Sequence, residues 1–461
     1  MCAVTNSRPL LFYTKSRTRC TLAPTARERT LSVFSIVKIE EKMENLGRFD
    51  VIVIGAGVMG SSAAYQAAKR GQKTLLIEQF DFLHYRGSSH GESRTIRATY
   101  PEPYYCPLVM ESAKLWTDAE SEIGYKVYFK TQQLDLGPVN NSSLQALIAN
   151  CEKHSINHQV LDRHRAKEHF TGKIEFPDNW TAVVTELGGV LKPTKAVAMF
   201  QTLAIKHGAV LKDKTEIVDL VNDRGGILVS SRSGEKFWGK KCVVTAGAWV
   251  SKLIQKVSNG ETILPIQPVE TTIFYWKIKE GHERDYTIEA GFPSFASYGE
   301  PYIYGTPALE FPDLIKVAVH GGRECDPDKR TWRDETAGTE GMTMVVGHLK
   351  EWIRLRFGDG VNWEDGPVIS QSCLYSMTPD EDYIIDFLGG GFNEDVVVAG
   401  GFSGHGFKMA PLVGRILVDL AIGGKAAAET LGEEIKHFKL GRFEGNPRGN
   451  MKEFEDQVRL R

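Results

Sequence analysis

Val51-Ile52-Val53-Ile54-Gly55-Ala56-Gly57-Val58-Met59-Gly60 is the most informative stretch of the chain. Its four consecutive apolar residues are typical of a strand buried in a parallel sheet. The glycines that follow have the spacing G-x-G-x-x-G. Residues 61–69 are rich in alanine and predict a helix that ends at Gly71, and residues 74–77 predict a second buried strand. Together these segments form a complete βαβ unit.

Each glycine of this motif has a physical role in binding a dinucleotide. Gly55 allows the tight turn, Gly57 lets the backbone approach a pyrophosphate, and Gly60 permits close packing of helix on strand. The start of the helix offers N–H groups and a partial positive charge to the phosphates. Glu78, at the end of the second strand, is placed to accept hydrogen bonds from ribose hydroxyls. The motif alone does not separate NAD from FAD.

The rest of the chain alternates between helical and strand-like segments. Residues 196–207 and 409–422 predict helices, and residues 241–245 and 395–399 predict further buried strands. Between residues 265 and 325 lie many short β-branched and aromatic runs, which predict a second, mostly antiparallel sheet.

The composition excludes several classes of protein. Among 461 residues, 42% are hydrophobic and 25% are charged, and the net charge of −2 gives no electrostatic reason to expect nucleic acid or an anionic membrane as partner. No apolar run reaches the roughly 18 residues that span a bilayer. The seven cysteines include no C-x-x-C pair, so we expect neither a metal site nor a disulfide framework.

Residues 1–42 differ from the rest of the chain, because they are rich in arginine and contain a single acid before Glu40. This composition fits an organelle transit peptide, and it fits equally a disordered extension upstream of a start at Met43. We therefore treat residues 1–45 as an N-terminal extension outside the fold.

Four further segments closely resemble the family of monomeric sarcosine oxidases and L-pipecolate oxidases, especially its plant members. They are GSSHGESRTIR at 87–97, KVAVH at 316–320, CLYSMTPD at 373–380 and GFSGHGFK at 401–408. The resemblance runs in order from Phe49 to about Arg442. It implies an α/β fold of the glutathione-reductase and D-amino-acid-oxidase type, with a Rossmann-like FAD-binding domain and a mostly antiparallel substrate domain.

The domain boundaries that we expect follow from this resemblance. The FAD-binding domain takes 46–124, 196–261 and 380–445, the substrate domain takes 125–195 and 262–379, and 446–461 form a C-terminal tail.

Cys373 matches the family cysteine whose sulfur is bonded to the 8α-methyl carbon of FAD. A thiolate is the reactive form of cysteine, so such a bond requires a setting that favours the thiolate. Residue type alone fits a small buried core thiol instead. The resemblance therefore carries the prediction of covalent FAD.

The resemblance also assigns the substrate and oxygen sites. Arg97 and Lys408 match a pair of cations that hold the substrate carboxylate, and Arg94 matches a residue that supports the flavin. Lys316 matches a lysine that promotes reaction with O2, although its strand pattern fits an exposed face equally well. The remaining matches are pocket residues His320, Tyr304 and Tyr375, His90 near the flavin, and the glycines Gly404 and Gly406 before a helix that points at the flavin.

The predicted reaction is oxidation of a small secondary amino acid, with O2 reduced to H2O2. Sarcosine would give glycine and formaldehyde, and L-pipecolate would give a cyclic imine. Three alternatives stay open: a flavin dehydrogenase that passes electrons to a carrier, an NAD-dependent dehydrogenase, and a flavin-binding protein without activity. The family resemblance favours a monomer and a peroxisomal location, whereas the chain ends in Val458-Arg459-Leu460-Arg461 and not in an S-K-L type signal.

Overall fold

The computed structural model describes residues 47–309, 311–329 and 339–450. The N-terminal extension predicted at 1–45 lies outside the described residues, and so does the C-terminal tail beyond residue 450. The described strands are β1 Arg48–Ile54, β2 Thr74–Ile77, β3 Arg94–Arg97, β4 Tyr128–Pro138, β5 His158–Leu161, β6 Trp180–Leu191, β7 Val210–Lys212, β8 Ile217–Asp223, β9 Gly226–Ser231, β10 Lys236–Val244, β11 Gln267–Lys277, β12 Ser294–Ser297, β13 Ile303–Thr306, β14 Leu314–Val319, β15 Arg323–Glu324, β16 Ile369–Met377, β17 Ile384–Phe387 and β18 Val396–Gly400. The described α-helices are α1 Val58–Lys69, α2 Tyr105–Ile123, α3 Ser142–Lys153, α4 Arg163–His169, α5 Pro193–Lys206, α6 Val250–Val257, α7 Thr339–Phe357, α8 Ala410–Thr430 and α9 Gly432–Ile435.

The first sheet has a parallel centre in the order β18-β10-β1-β2-β7. Strand β17 pairs antiparallel with β18 at one edge, and the hairpin β8–β9 adds to β10. The central strands are buried on both faces, which explains why their sequences are continuous apolar runs rather than alternating ones. The Rossmann-like sheet predicted from the sequence is confirmed.

Helix α1 packs between this sheet and helices α5 and α8. Its small residues let the backbones approach closely, since a Cβ atom on Gly414 of α8 would lie 2.3 Å from the Ser62 hydroxyl oxygen. The helix begins at Val58 rather than at Ser61, because residues 58–60 of the glycine motif form its first turn. The N-terminus of α1 therefore lies directly at the carboxyl end of β1, where a parallel sheet binds its ligands.

The second sheet has the order β15-β11-β14-β13-β12-β4-β6-β3, with β16 beside β11 and β5 beside β6. Every pairing is antiparallel except that of β12 with β4, so the mostly antiparallel sheet is also confirmed. Its core is aromatic, with Phe295 stacked on Trp352 of α7 at 5.5 Å between ring centres. Strand β3, which carries Arg94 and Arg97, belongs to this sheet through its pairing with β6.

No helix in the described part of the chain is long and apolar enough to cross a membrane.

Candidate active site

Two cavities of about 370 Å³ and about 120 Å³ lie side by side in the described residues. The larger one begins at the carboxyl ends of β1 and β2, and the smaller one lies against β13 and β14 of the second sheet. Five residues line both cavities and so form a shared wall: Arg94, Cys373, Tyr375, Gly404 and Phe407.

The larger cavity is lined by the glycine motif and by Glu78. The Glu78 carboxylate is buried and accepts hydrogen bonds from the backbone N–H of Ala56 at 2.8 Å and of Phe80 at 3.0 Å. Gly55 has a φ of +97°, and a Cβ atom there would lie 2.5 Å from the Thr245 carbonyl oxygen. A Cβ atom on Gly60 would lie 1.8 Å from the Gly55 carbonyl oxygen. The turn is therefore built so tightly that these two positions have no room for a side chain.

The N-terminus of α1 faces the same cavity. The Val58 N–H donates to the Ser89 hydroxyl at 3.0 Å, and a Cβ atom on Gly57 would lie 3.1 Å from that hydroxyl oxygen. Ser89 thus links the glycine motif to the 87–97 segment, and the helix start offers its N–H groups and partial positive charge to a phosphate.

Polar groups surround the guanidinium of Arg97, which lines the smaller cavity. Its guanidinium donates to the hydroxyls of Tyr298 at 3.2 Å and Tyr302 at 3.1 Å, and to the backbone carbonyl of Thr99. Its Nη1 also lies 3.5 Å from Oδ1 of Asp135, which is completely buried. Burial raises the pKa of Asp135, and the charge of Arg97 opposes this effect. A buried ion pair of this kind fixes the orientation of the guanidinium.

Lys408 approaches the same cavity from the other side. Its ammonium donates to the Tyr100 hydroxyl and to the His405 carbonyl oxygen, both at 2.8 Å. Its own carbonyl accepts hydrogen bonds from Ser112 at 2.6 Å and Trp116 at 2.9 Å on α2. Burial and the nearby charge of Arg97 lower the pKa of Lys408 well below its usual range. An anion bound between these two cations would relieve their repulsion.

Lys316 is fully buried on β14, with its side chain in the smaller cavity. Its Nζ donates to the Ser93 carbonyl at 3.2 Å and lies 5.3 Å from the centre of the Tyr304 ring. Burial, together with the charge of Arg94, lowers the pKa of Lys316 to about 7. The Tyr304 hydroxyl lies 3.3 Å from that of Tyr375, which also lines the smaller cavity.

Cys373 lies on β16 in the shared wall and is only 2% exposed. Its sulfur lies 3.3 Å from Nη2 of Arg94, whose guanidinium also donates to the carbonyls of Ser88 at 3.0 Å and His90 at 2.9 Å. This contact and the access to both cavities set Cys373 apart from Cys242, which is buried within the first sheet.

Most of the residues predicted from the sequence meet at the two cavities. Arg97, Lys408, Lys316, His320 and Tyr304 line the smaller one, while Gly406 belongs to the larger one. His90 is not among the residues that line either cavity, and it touches the site through its carbonyl group. Its predicted place near the flavin stays a prediction.

Several residues of the smaller cavity were not predicted from the sequence. Tyr100, Tyr302 and His405 line it, and the carboxylate of Asp135 forms an ion pair with Arg97. The signals were weak but present: Tyr100 follows Arg97 by three residues, and His405 stands between two glycines of the 401–408 segment. Asp135 carries no such signal, because nothing in its segment distinguishes it from the other acids of the chain. Among the described side chains, no group of three His, Cys, Asp or Glu is placed to hold a metal ion.

The family described as FAD dependent oxidoreductase matches residues 50–420. This chain belongs to that family. The FAD-dependent oxidoreductase is 62% identical over 417 residues to the probable sarcosine oxidase of Arabidopsis thaliana. The aligned residues cover 90% of this chain and 97% of that relative. It is 33% identical to the peroxisomal sarcosine oxidase of Homo sapiens, over 86% of this chain and 96% of that protein. These relatives make the chain an oxidoreductase that acts on CH–NH donors.

Solved structures of the same fold support this placement of the FAD-dependent oxidoreductase. NikD, an amino acid oxidase of nikkomycin biosynthesis, matches with a TM-score of 0.70 at 21% identity, over 84% of this chain and 97% of that one. The L-proline dehydrogenase of P. horikoshii matches with a TM-score of 0.68 at 22% identity, over 87% and 99%. At these identities the likeness establishes the fold alone.

The larger cavity has the groups that FAD needs. The α1 N-terminus behind Gly57 fits the pyrophosphate, and Glu78 fits the ribose, because its carboxylate is already oriented by two backbone N–H groups. The cavity then continues to the shared wall, where Arg94 and Cys373 would meet the flavin ring system. FAD supplies the electron acceptor that no protein side chain provides.

Proposed function

We propose that this enzyme oxidises a small secondary amino acid, sarcosine or L-pipecolate, and that O2 is reduced to hydrogen peroxide. The observation that carries the proposal is the pair of cations, the buried Lys408 and the partly buried Arg97, in a small cavity that shares a wall with the FAD cavity. The names of the sarcosine oxidase relatives support the same substrate class.

Arg97 and Lys408 approach the same aromatic ring. The guanidinium carbon of Arg97 lies 5.1 Å and the Nζ of Lys408 lies 5.2 Å from the centre of the Tyr100 ring. Two cations that face one ring favour an anion between them, and a carboxylate offers one oxygen to each. The planar guanidinium sets the orientation of that carboxylate, whereas the lysine adds a point charge.

The walls of the smaller cavity limit the size of the substrate. The His320 ring lies 5.6 Å from that of Tyr302 and 5.4 Å from that of Tyr375, measured between ring centres. These rings, with Phe295 beside them, leave about 120 Å³. That space suits a small amino acid whose amine faces the shared wall, and the aromatic faces keep bulk water away from it.

We propose further that FAD is bonded covalently through the sulfur of Cys373. The sulfur is the nucleophilic group of the shared wall, and the Arg94 guanidinium stands beside it at 3.3 Å. FAD, when bound, accepts the electrons of the amine and passes them to O2. Lys316 would support the oxygen reaction, because a fixed positive charge stabilises the negative charge that develops on O2.

A panel of sarcosine, N-methyl amino acids, L-pipecolate and L-proline tests the proposal. Each compound is mixed with the purified enzyme, and peroxide release is compared with turnover of an artificial electron acceptor. We expect peroxide with sarcosine or L-pipecolate at a rate comparable to acceptor turnover. Acceptor turnover without peroxide would instead identify a dehydrogenase that uses an electron carrier.

A monomeric state and a peroxisomal location are further proposals. They are supported by the names of two relatives, the monomeric sarcosine oxidase of Bacillus sp. (strain NS-129), 33% identical over 86% of this chain, and the human peroxisomal protein. Sedimentation of the purified chain tests the first, and a fluorescent fusion with the carboxyl end left uncovered tests the second.

A further inference from the structure

A chain of hydrogen bonds joins three side chains that line the smaller cavity. Lys408 Nζ donates to the Tyr100 hydroxyl at 2.8 Å, and that hydroxyl lies 3.0 Å from Nδ1 of His405. Nε2 of His405 lies 3.0 Å from the backbone carbonyl of Glu381. Lys408 and His405 belong to the 401–408 segment and Tyr100 lies about 300 positions earlier, and the proposed carboxylate clamp requires only Lys408.

The hydrogen-bond partners of His405 define its proton positions. A carbonyl oxygen can only accept, so Nε2 must carry a hydrogen, and Nδ1 is then the position that can gain or lose one. The Tyr383 hydroxyl lies 2.9 Å from Nδ1 and 3.3 Å from the His405 carbonyl oxygen. By turning its hydrogen toward the carbonyl, Tyr383 can accept a hydrogen bond from Nδ1. His405 therefore has partners for both its neutral and its charged form.

Tyr100 is suited to pass a proton without becoming an anion. Burial raises the pKa of its hydroxyl far above the ordinary value. The hydroxyl accepts from Lys408 and donates to Nδ1 of His405, so it can take one proton and release another in the same event. Such an exchange leaves Tyr100 neutral and moves one positive charge from Lys408 to His405.

The hydrogen-bond partners of Lys408 allow it to be the first member of this series of hydrogen bonds. Two of its hydrogens are used by the Tyr100 hydroxyl and the His405 carbonyl, which leaves its third position for the cavity. In neutral lysine that position is a lone pair, and in charged lysine it is an N–H. Burial and the charge of Arg97 lower the pKa of Lys408 well below its usual range, which favours release of its proton. The groups that face this chain are Arg97, Tyr105, Tyr383, Glu102, Glu381 and, behind Tyr105, the carboxylate of Asp382.

We propose that Lys408, Tyr100 and His405 form a relay that removes the proton from the substrate amine. This inference rests on the proposed function. In water the nitrogen of a secondary amino acid is protonated, and it must lose that proton before the neighbouring C–H bond can be oxidised, because the oxidation requires the nitrogen lone pair. The amine and the carboxylate are attached to the same carbon, so a lysine at the carboxylate is within reach of the ammonium. Nζ of the charged Lys408 first gives a proton to Tyr100, which gives its own to Nδ1 of His405, and the neutral Nζ then takes the proton of the ammonium, so that Lys408 is again a cation beside the carboxylate. The result is a neutral amine and an imidazolium.

The variant His405→Asn tests the relay, because asparagine can still accept from Tyr100 but cannot take up a proton. The FAD-loaded enzyme is mixed anaerobically with saturating sarcosine or L-pipecolate, and loss of flavin absorbance is followed as a function of pH. We expect the apparent pKa of this rate to rise by about one unit, so that the rate near neutral pH falls about tenfold and is restored at high pH. Tyr100→Phe should shift the profile in the same direction.

Two controls separate a relay from a structural role. Tyr105→Phe changes a residue whose ring packs edge-on against the His405 ring, with 5.1 Å between the ring centres, and which takes no part in the hydrogen-bond relay. The pH profile of this variant should match that of the unaltered enzyme. The affinity for propionate, a carboxylate without an amine, should change less than about twofold in His405→Asn, because the two cations remain.

Two results would overturn the relay. One is a His405→Asn profile that superimposes on the unaltered one, and the other is an equal loss of rate at every pH together with weaker propionate binding. If no secondary amino acid reduces the unaltered enzyme, the proposed function itself is wrong, and the relay is withdrawn with it. If reduction occurs with unshifted profiles, only the relay fails.

Discussion

Nη2 of Arg94 lies 3.3 Å from the sulfur of Cys373, and the two residues belong to opposite edges of the second sheet. Strand β3 carries the arginine and β16 carries the cysteine, so the contact forms only when the whole sheet is in place. The arginine also donates to the carbonyls of Ser88 and His90, which hold its guanidinium at the sulfur. The surroundings of the Cys373 sulfur thus depend on a residue 279 positions away in the sequence.

The covalent bond is predicted to depend on both residues. Cys373→Ser should abolish covalent flavin, and Arg94→Met should slow its formation on addition of FAD by at least about tenfold, because the sulfur loses the guanidinium that lies beside it. The measurement is flavin fluorescence that stays with the acid-denatured chain on a gel. Cys325→Ser is the matched control, since Cys325 is only partly buried and lines neither cavity. Fluorescence that persists in Cys373→Ser would refute the assignment.

Arg97 is predicted to serve both binding and stability. Arg97→Met should raise the KM for the amino acid by about a hundredfold and should lower the free energy of unfolding by about 3–5 kcal/mol, because it leaves the buried carboxylate of Asp135 without its cation. Adding Asp135→Asn to this variant should recover most of the stability while the KM stays high. Steady-state kinetics and urea unfolding distinguish the two effects. Recovery of the KM by the second change would contradict the proposed clamp.

The oxygen reaction is predicted to depend on the charge of Lys316. Lys316→Met should slow reoxidation of the reduced enzyme by O2 about a hundredfold, and it should slow reduction by the amine far less. In the unaltered enzyme, reoxidation should become slower as the pH rises through about 7, since the lysine loses its charge there. Stopped-flow mixing of reduced enzyme with O2 measures both effects. Equal losses in the two half-reactions would point to disturbed packing instead.

The same lysine is predicted to make stability depend on pH. Its pKa in the folded chain is about 7, below the ordinary value of 10.5, so the unfolded chain binds the proton more readily between these two values. Stability therefore rises with pH across that window, by up to a few kcal/mol as an order of magnitude. Lys316→Met should be more stable than the unaltered chain at neutral pH, and the difference should shrink towards pH 10. Urea unfolding of the FAD-free chain at several pH values measures it.

The sequence predicted those parts of the fold whose signals are local. The glycine spacing and the apolar runs of β1 and β2 were sufficient for the βαβ unit, because each acts within a few residues. Strand β3 was not predicted, since Arg94-Thr95-Ile96-Arg97 has two charges and a single buried apolar residue. Its strand conformation comes from pairing with β6, a tertiary effect.

The site residues also divide into those that a sequence segment predicted and those that only the structure brings together. Arg97, Lys408 and Cys373 were found through their segments, whereas the partners that hold them were not. Asp135 is 38 positions from Arg97, and His405 is 305 positions from Tyr100, so no spacing in the sequence links either pair. Cys373 was expected from residue type alone to be buried, and it is. What residue type could not give is its position in a wall common to two cavities.

Residues in the wall shared by the two cavities are less free to change during evolution or redesign than residues that line a single cavity. A change at Tyr375 or Gly404 alters the surroundings of cofactor and substrate at once. In contrast, Phe295, Ala296 and Tyr302 line only the smaller cavity. Changes at these three positions alter the smaller cavity without touching the wall that it shares with the larger one.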